Sequence, residues 1–456
     1  MNRLFQPVDI ASLVFFRIAF GLLGFTDVLN TWVYYHLMKD AYTPAGFQFR
    51  YYGFEWVRPL PDPWMSILFL FICALAILVA VGKWYRISAS LFALGFTYIF
   101  LLEKAFYLNH GYLFCWISAL MPLLPANRAF SADVLRKPVL YRPAIPFWPL
   151  FLLRFLMGVV YVFGGIAKLN ADWLHAVPLA QWLDAKGNIP LLGPLLEQGW
   201  MAWFMAYGGL LLDLSVVGFL LFRRTRPWAF AAVIFFHLMN LLVFSIGIFP
   251  YLSLALTALF FPPSFPRQAV GWLVARVRLV ARLQEWWLRR IGTAEEKEPL
   301  WQEHLRWRPV ITAGIAVFIL FHFAVPWRHH FFPGDVAWTE EGHRYAWRMM
   351  LRSKHGYGHF TVLDLDSGQR ETANPGLWLS RKQEHKLYTH PDMILQFAHF
   401  LRDKYREQGR HVAVYADIQV QLNFRKYSPL IDPMIDLAQE KWRFFRRSEW
   451  ILPEKR

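Results

Sequence analysis

The chain has 456 residues, of which 56% are hydrophobic and 18% aromatic, and it carries a formal charge of +16. Apolar residues gathered into runs this long exclude an ordinary soluble domain of this length. The positive charge suggests nucleic acid, but the basic residues crowd into connections between apolar runs, and no phosphate-binding loop or nucleic-acid module accompanies them, which excludes that class.

A bilayer span takes about 20 mostly apolar residues. Runs of that kind lie at 9–34, 63–82, 87–108, 110–124, 147–168, 200–222, 228–246, 248–261 and 309–326. The runs at 110–124 and 248–261 are short, as half-helices or tilted segments packed inside protein would be. The first run follows Arg3, is too long for a signal-peptide core and has no clear cleavage site, so it reads as a retained span. The fold class expected is a polytopic α-helical membrane protein of about 8–9 spans over residues 1–327, followed by a C-terminal α+β extramembrane domain over 328–456. No internal repeat is visible, which argues against repeated transporter architectures. Cys73 and Cys115 both sit inside apolar runs, without CxxC or zinc spacing, so neither a disulfide framework nor a metal site is expected.

Lys and Arg alternate in density along the connections. Arg3, the Lys83–Arg86 turn, the stretch from Arg128 to Arg142, Arg223 to Arg226, and a basic stretch from Arg267 to Arg308 form the rich set. Lys39, Arg50, Arg58, Lys104, Lys168 and Lys186 form the poor one. The rich set is expected in the cytoplasm and the C-terminal domain on the opposite side, in a bacterial inner membrane or the endoplasmic reticulum. Segment 266–291 interleaves Arg with Val, Leu and Trp, as an amphipathic helix on the membrane surface would.

From about Arg328 the long apolar runs stop. HFTVLDLDSGQRE reads as two strands around an Asp-Ser-Gly turn. DMILQFAHFLRDKYREQG reads as an amphipathic helix ended by Gly409, and HVAVYADIQVQLNFR alternates as a strand does.

Polar groups that could carry chemistry cluster at span ends on the domain side. They are Asn109 and His110, Lys168, His237 with Asn240, and the group Trp347, Met349 and Met350 in HRYAWRMM. Lys168 closes an apolar helix just after Gly164 and Gly165, small residues that let a helix or ligand approach the backbone. An amine among apolar groups loses hydration, which lowers its pKa and suits it to act as a base. The bland readings are a Lys snorkelling to headgroups, histidines that only bond helix to helix, and methionines that only fill a core. No GxSxG, GxGxxG, HExxH or EF-hand pattern is present.

These residues resemble the vitamin K-dependent gamma-glutamyl carboxylases. The clearest match is YVFGGIAKLNADW from Tyr161 to Trp173. LNHGYL around Asn109, GGLLLDLS from Gly208 to Ser215, FHLMNLLVFSIGIF from Phe236 to Phe249 and RPLPDPWM from Arg58 to Met65 are also similar. So are YAWRMM, NPG from Asn374 to Gly376, and YADIQVQLN in the C-terminal domain.

The resemblance implies that Lys168 takes a proton from reduced vitamin K, a hydroquinone or menaquinol. Its reaction with O2 yields a stronger base that removes a γ-proton from a protein-bound glutamate, the resulting carbanion captures CO2, and the vitamin becomes its epoxide. By the same resemblance Asn109 and His110 would steady developing charge. Tyr161, Gly165 and His237 would line the pocket, and Met349 and Met350 would contact the quinone or the glutamate. No metal is implied, and the partners would be the membrane, a lipid quinone and a glutamate-containing protein. The chain departs from the animal enzymes in Asn170 and Ala167 beside Lys168, in its shorter C-terminal part, and in lacking the cysteine pair that ties their membrane and luminal regions. A quinone epoxidase or oxidase that carboxylates nothing, and a transporter or lipid-binding protein, are the alternative readings.

Overall fold

The structure, a computed structural model, describes residues 2–37, 46–190, 192–244, 246–291 and 306–454. Lys39 and part of the basic stretch, residues 292–305, lie outside the described residues. Among the described residues, seven helices are long and apolar enough to cross a bilayer: Ala11–Leu37, Trp64–Val81, Tyr85–Leu102, Trp148–Lys168, Gly199–Leu221, Arg226–Val243 and Arg308–Trp327. Their outward faces stay apolar, with Leu94, Leu211 and Leu320 each more than 60% exposed. A water-facing surface would not hold so many, whereas hydrocarbon accepts them.

Tight turns join the helices where a side chain would not fit. Gly82 ends Trp64–Val81 in a left-handed conformation (φ 71°). A Cβ there would lie 2.6 Å from Ser131 Cβ and 2.9 Å from the Arg17 guanidinium. That guanidinium, fully buried, donates to the carbonyls of Ala80 (3.2 Å), Ala126 (2.8 Å) and Ala129 (3.2 Å), tying three segments together at one face.

The two short apolar runs form helices of only 12 residues, Asn109–Leu120, and 10 residues, Phe249–Ala258. At 1.5 Å per residue they cover about half of a hydrocarbon core about 30 Å thick. They nevertheless carry the chain back to the face of the N-terminus. Strand β2, Ala144–Pro146, pairs antiparallel with β1, Pro7–Asp9. The Ser12 amide bonds the Pro263 carbonyl (3.1 Å). Seven full-length helices and these two short ones thus supply the traverses read from the sequence. On the opposite side of the layer, segment 103–108, with only the short 3-10 helix Lys104–Phe106, and residues 246–248 stand where α-helix would otherwise run, which is tolerated at membrane depth only where backbone lies within protein or against a cavity. Segment 266–291 is not one helix but two, Phe265–Val274 and Arg278–Ile291. The first closes at Ala275, whose amide bonds back to the Gly271 carbonyl while the Arg276 amide bonds that of Leu273. Trp272, Leu279 and Leu283 of the pair are exposed.

The C-terminal domain is a four-stranded antiparallel sheet in the order β4-β3-β5-β6 (Arg370–Ala373, Lys354–Asp364, Val412–Leu422, Ser428–Pro429). The turn between β3 and β4 uses Gly368 at φ 72°, as the Asp-Ser-Gly motif demands. Helix Pro391–Arg406 lays Ile394, Phe397 and Leu401 against Phe360, Val414 and Ile418 of the sheet. Gly409 (φ 75°) follows that helix, permitting the left-handed backbone that releases the chain.

The domain docks on segment 103–110 through buried charge. Lys104 Nζ is 2.5 Å and Arg344 Nη1 2.7 Å from Asp392 Oδ2. Burial works against the Asp392 carboxylate, yet the two cations hold it down at about 2. Glu103 accepts from Gln383 Nε2 (2.8 Å) and from the amides of Phe49 (3.1 Å) and Ala105 (2.8 Å), but burial still pushes its carboxyl up to about 7. A second contact joins Asp172 to Arg425 and, at 2.6 Å, to Asn423.

Removing Asp392 strands two buried cations, so Asp392→Ala is expected to destabilise docking by about 3–5 kcal/mol, read as a lowered Tm and faster proteolysis of the domain. Glu103 binds its proton more tightly folded than unfolded. Its contribution is therefore full below about pH 4.5 and lost as pH rises through about 7. Glu103→Gln is expected to flatten that part of a Tm-against-pH profile, and an unchanged slope would refute the assignment.

Candidate functional site

Helix Trp148–Lys168 is apolar but for Arg154, Tyr161 and Lys168 and is buried over most of its length, so it runs through the middle of the bundle. Its last residue is Lys168, 7% exposed. The Lys168 Nζ lies 2.5 Å from Asp213 Oδ2, 3.4 Å from the Gly164 carbonyl and 5.4 Å from the Trp173 ring centre. Asp213, 5% exposed, comes from helix Gly199–Leu221.

The two glycines make this pair possible. A Cβ on Gly165 would stand 2.7 Å from Leu214 Cδ2 and 3.0 Å from the Leu214 backbone nitrogen. One on Gly164 would stand 3.3 Å from Asp213 Oδ2. Bare backbone on one helix thus lets the other bring its carboxylate to the amine.

Two turns before Lys168 on the same helix, the Tyr161 hydroxyl lies 3.3 Å from His237 Nε2 and 3.3 Å from Thr257 Oγ1. His237 is buried and its Nδ1 has no partner. The Phe249 ring contacts His237 at 5.9 Å and His110 at 6.1 Å, so both histidines meet at the start of the short helix Phe249–Ala258. Asn109 accepts from the Tyr107 hydroxyl (3.0 Å) and donates to the Arg348 carbonyl (3.4 Å), reaching into the extramembrane domain.

These groups line one cavity of about 1150 Å³, with Met349 and Met350 in its wall. Tyr345, Trp347 and Met350 all adopt positive φ (67°, 56°, 50°), an unfavourable backbone that surrounding contacts must hold. Trp347, 1% exposed, is one anchor, packed 5.3 Å from the Tyr112 ring. The domain end of the cavity is cationic. Arg352 and Lys354 pair with Glu340 (2.6 and 3.2 Å), whereas Arg348, Lys382 and Lys386 have no carboxylate at ion-pair distance among the described residues. Burial lowers Arg348 to about 10 and moves Lys386 down as well. Burial and the surrounding cations hold His343 and His390 far below the usual histidine range, so they stay neutral.

Of the residues singled out from the sequence, Asn109, His110, Tyr161, Lys168, His237, Asn240, Met349 and Met350 line this cavity. Gly165 does not; it faces Leu214, and its role is helix contact. The isolated amine expected at Lys168 is instead half of an ion pair. Asp213 was missed, although a carboxylate inside the apolar run GGLLLDLS is itself a signal. The unpaired cations were missed too, and their signal is the density of basic residues in RMMLRSK and RKQEHK.

The HTTM domain model matches residues 5–265, and the model of the vitamin K-dependent gamma-carboxylase lumenal domain matches residues 307–456. No solved structure matches the chain.

Gly165→Ala is expected to force the two helices apart, costing about 1–3 kcal/mol in stability and widening the Lys168–Asp213 contact. A lowered Tm of the purified protein checks the effect; an unchanged Tm would mean the helices can separate freely.

Proposed function

The chain belongs to the vitamin K-dependent gamma-carboxylase family, and from that premise we propose that it is a membrane carboxylase in which reduced vitamin K and a glutamate side chain meet in the large cavity. The observation that carries this reading is the buried Lys168–Asp213 pair facing the same space as His110, His237 and a cationic mouth. The cavity suits a naphthoquinol. Its volume is slightly above the range of about 300–1,000 Å³ usual for small-molecule sites. Phe236 and Phe249 offer flat apolar walls, and the orphaned His237 Nδ1 offers a buried polar contact.

When bound, reduced vitamin K supplies, through oxidation by O2 to the epoxide, a base strong enough to remove a γ-proton from glutamate, whose carbon then adds CO2. The protein's own part is to take the quinol proton, exclude water and hold both substrates. As an ammonium–carboxylate pair, Lys168 and Asp213 present an Asp213 oxygen as the accepting atom. With the shared proton moved to Asp213, the amine accepts instead. Net charge within the pair is zero in both arrangements, so the proton can shift without leaving an uncompensated buried charge. His110 and Asn109, at the start of a short helix, are placed to steady negative charge with the backbone amides there. Arg348, Lys382 and Lys386 attract a carboxylate to the mouth, which favours an acidic peptide over a neutral one.

The protein is integral to a membrane. The Arg-rich loops lie on the face of the N-terminus, so we place that face in the cytoplasm and the C-terminal domain outside it, in a bacterial inner membrane or the endoplasmic reticulum. The amphipathic pair Phe265–Val274 and Arg278–Ile291 would lie along the cytoplasmic headgroups.

Purified membranes given vitamin K hydroquinone, labelled CO2 and glutamate-containing peptides are expected to form epoxide and labelled peptide together. Epoxide without label in any peptide would point to the oxidase reading, and neither product from well-folded protein would overturn the proposal. Lys168→Ala is expected to lower both products by about 10²–10⁴-fold, with partial rescue by an added small amine, and Asp213→Asn to act in the same direction. His110→Ala should reduce carboxylation more than epoxidation in parallel assays.

A further inference from the structure

A second cavity, of about 620 Å³, adjoins the first across the Lys104–Asp392–Arg344 contact, and Lys104 and Arg344 line both. It lies between helices Tyr85–Leu102, Asn109–Leu120 and Arg308–Trp327 and the edge of the C-terminal domain. Its membrane-side wall is apolar and aromatic, formed by Phe100, Leu101, Trp116, Phe321 and Val325. Ala119 and Phe321 belong to that wall and are also exposed on the outside of the helical layer, so the cavity opens sideways toward lipid.

Its domain-side end holds polar groups that the fold leaves incomplete. Tyr51 is 4% exposed and its hydroxyl has no partner among the described residues. Arg328 gives one hydrogen bond to the Arg344 carbonyl (3.1 Å) and lies 5.8 Å from the Tyr345 ring centre, with no carboxylate at ion-pair distance among the described residues. Asp392, held by its two cations through Oδ2, has its other oxygen, Oδ1, buried without a donor. A guanidinium only donates, and buried polar groups of this kind ordinarily find partners. The set asks for a ligand with an anionic oxygen for Arg328, a hydroxyl for Asp392 Oδ1, and an apolar body for the aromatic wall.

We propose that this cavity binds one anionic phospholipid with a hydroxyl-bearing headgroup. Its phosphate lies at Arg328 and Tyr51, its headgroup hydroxyl faces Asp392, and an acyl chain lies along Trp116, Phe321 and Val325. The volume falls in the range of about 300–1,000 Å³ usual for small-molecule sites, which admits part of one lipid rather than a bilayer patch. The lipid would seal the lateral side of the seam between helical layer and domain, next to the ion pairs that hold the two together.

The test is native mass spectrometry of the full chain released from detergent with phosphatidylglycerol, phosphatidylcholine or menaquinone. Wild-type protein is expected to retain one phosphatidylglycerol in preference to phosphatidylcholine, which carries the same phosphate without the hydroxyls. Arg328→Gln, which removes a charge-assisted contact, and Ala119→Trp, which fills the wall, are each expected to lower that retention about tenfold or more. The two variants act on different parts of the site, so misfolding of one, seen as a lost monodisperse peak, leaves the other decisive. Equal retention in wild type and a well-folded variant would overturn the proposal, as would menaquinone displacing the phospholipid. The readout does not involve turnover, so it stands or falls apart from the carboxylase reading.

Discussion

One ion pair in an apolar layer constrains the rest of the molecule. Lys168 and Asp213 lie in contact, both nearly out of reach of solvent. Taking either charge out of water alone would cost several kcal/mol, about what a whole domain's net stability can bear, so each is tolerable there only because of the other. That condition fixes where helix Gly199–Leu221 passes helix Trp148–Lys168. The passage is close enough for a carboxylate to reach the amine only because Gly164 and Gly165 present bare backbone. The glycines, the aspartate and the lysine are therefore one device spread over two helices. Within that device a proton can shift from one partner to the other without creating a lone buried charge.

Space for substrates comes from helix that is missing. A bundle of full-length helices at ordinary packing distances leaves no chamber at mid-depth. Here two members stop short, and Asn109, His110 and Phe249 sit where they begin. The unfilled half of the layer is the cavity; Asn109 and His110 reach it from a helix start and Lys168 from a helix end, while Tyr161, Asp213 and His237 reach it from helix interiors. The C-terminal domain closes the top with a segment whose residues at 345, 347 and 350 all hold unfavourable backbone angles. The chamber thus runs from a mostly apolar wall around the Lys168–Asp213 pair to a cationic end at the domain.

Much of this was legible in the sequence because it depends on composition and period. Apolar length marks the spans. The two short runs declare themselves short, and the alternation in HVAVYADIQVQLNFR marks β5, whose residues alternate buried and half-buried from Ala416 to Leu422. Lys168 and the histidines stand out because a polar group in an apolar run is rare. What stayed hidden depends on pairing across the chain. Asp213 lies 45 residues from Lys168, and nothing local says that the two meet. Gly165 has the same sequence signature whether it faces a ligand or Leu214, and only the rotation of the helix decides. Lys104 read as a sparse loop charge, because its partner Asp392 belongs to the other domain.

Segment 103–110 couples the two halves of the molecule. Within it Glu103 and Lys104 grip the C-terminal domain through Gln383 and Asp392. Tyr107 accepts from the Tyr345 amide at 2.8 Å, Asn109 bonds the Arg348 carbonyl, and His110 faces the cavity. The residues that dock the domain and those that line the chamber are thus within one helical turn or two of each other on the same stretch of backbone. A domain that loosened at Asp392 would shift Tyr107 and Asn109, and with them His110, before it let go entirely. Buried charge holds these regions together, so the geometry of the chamber depends on an attachment that pH can reach through Glu103.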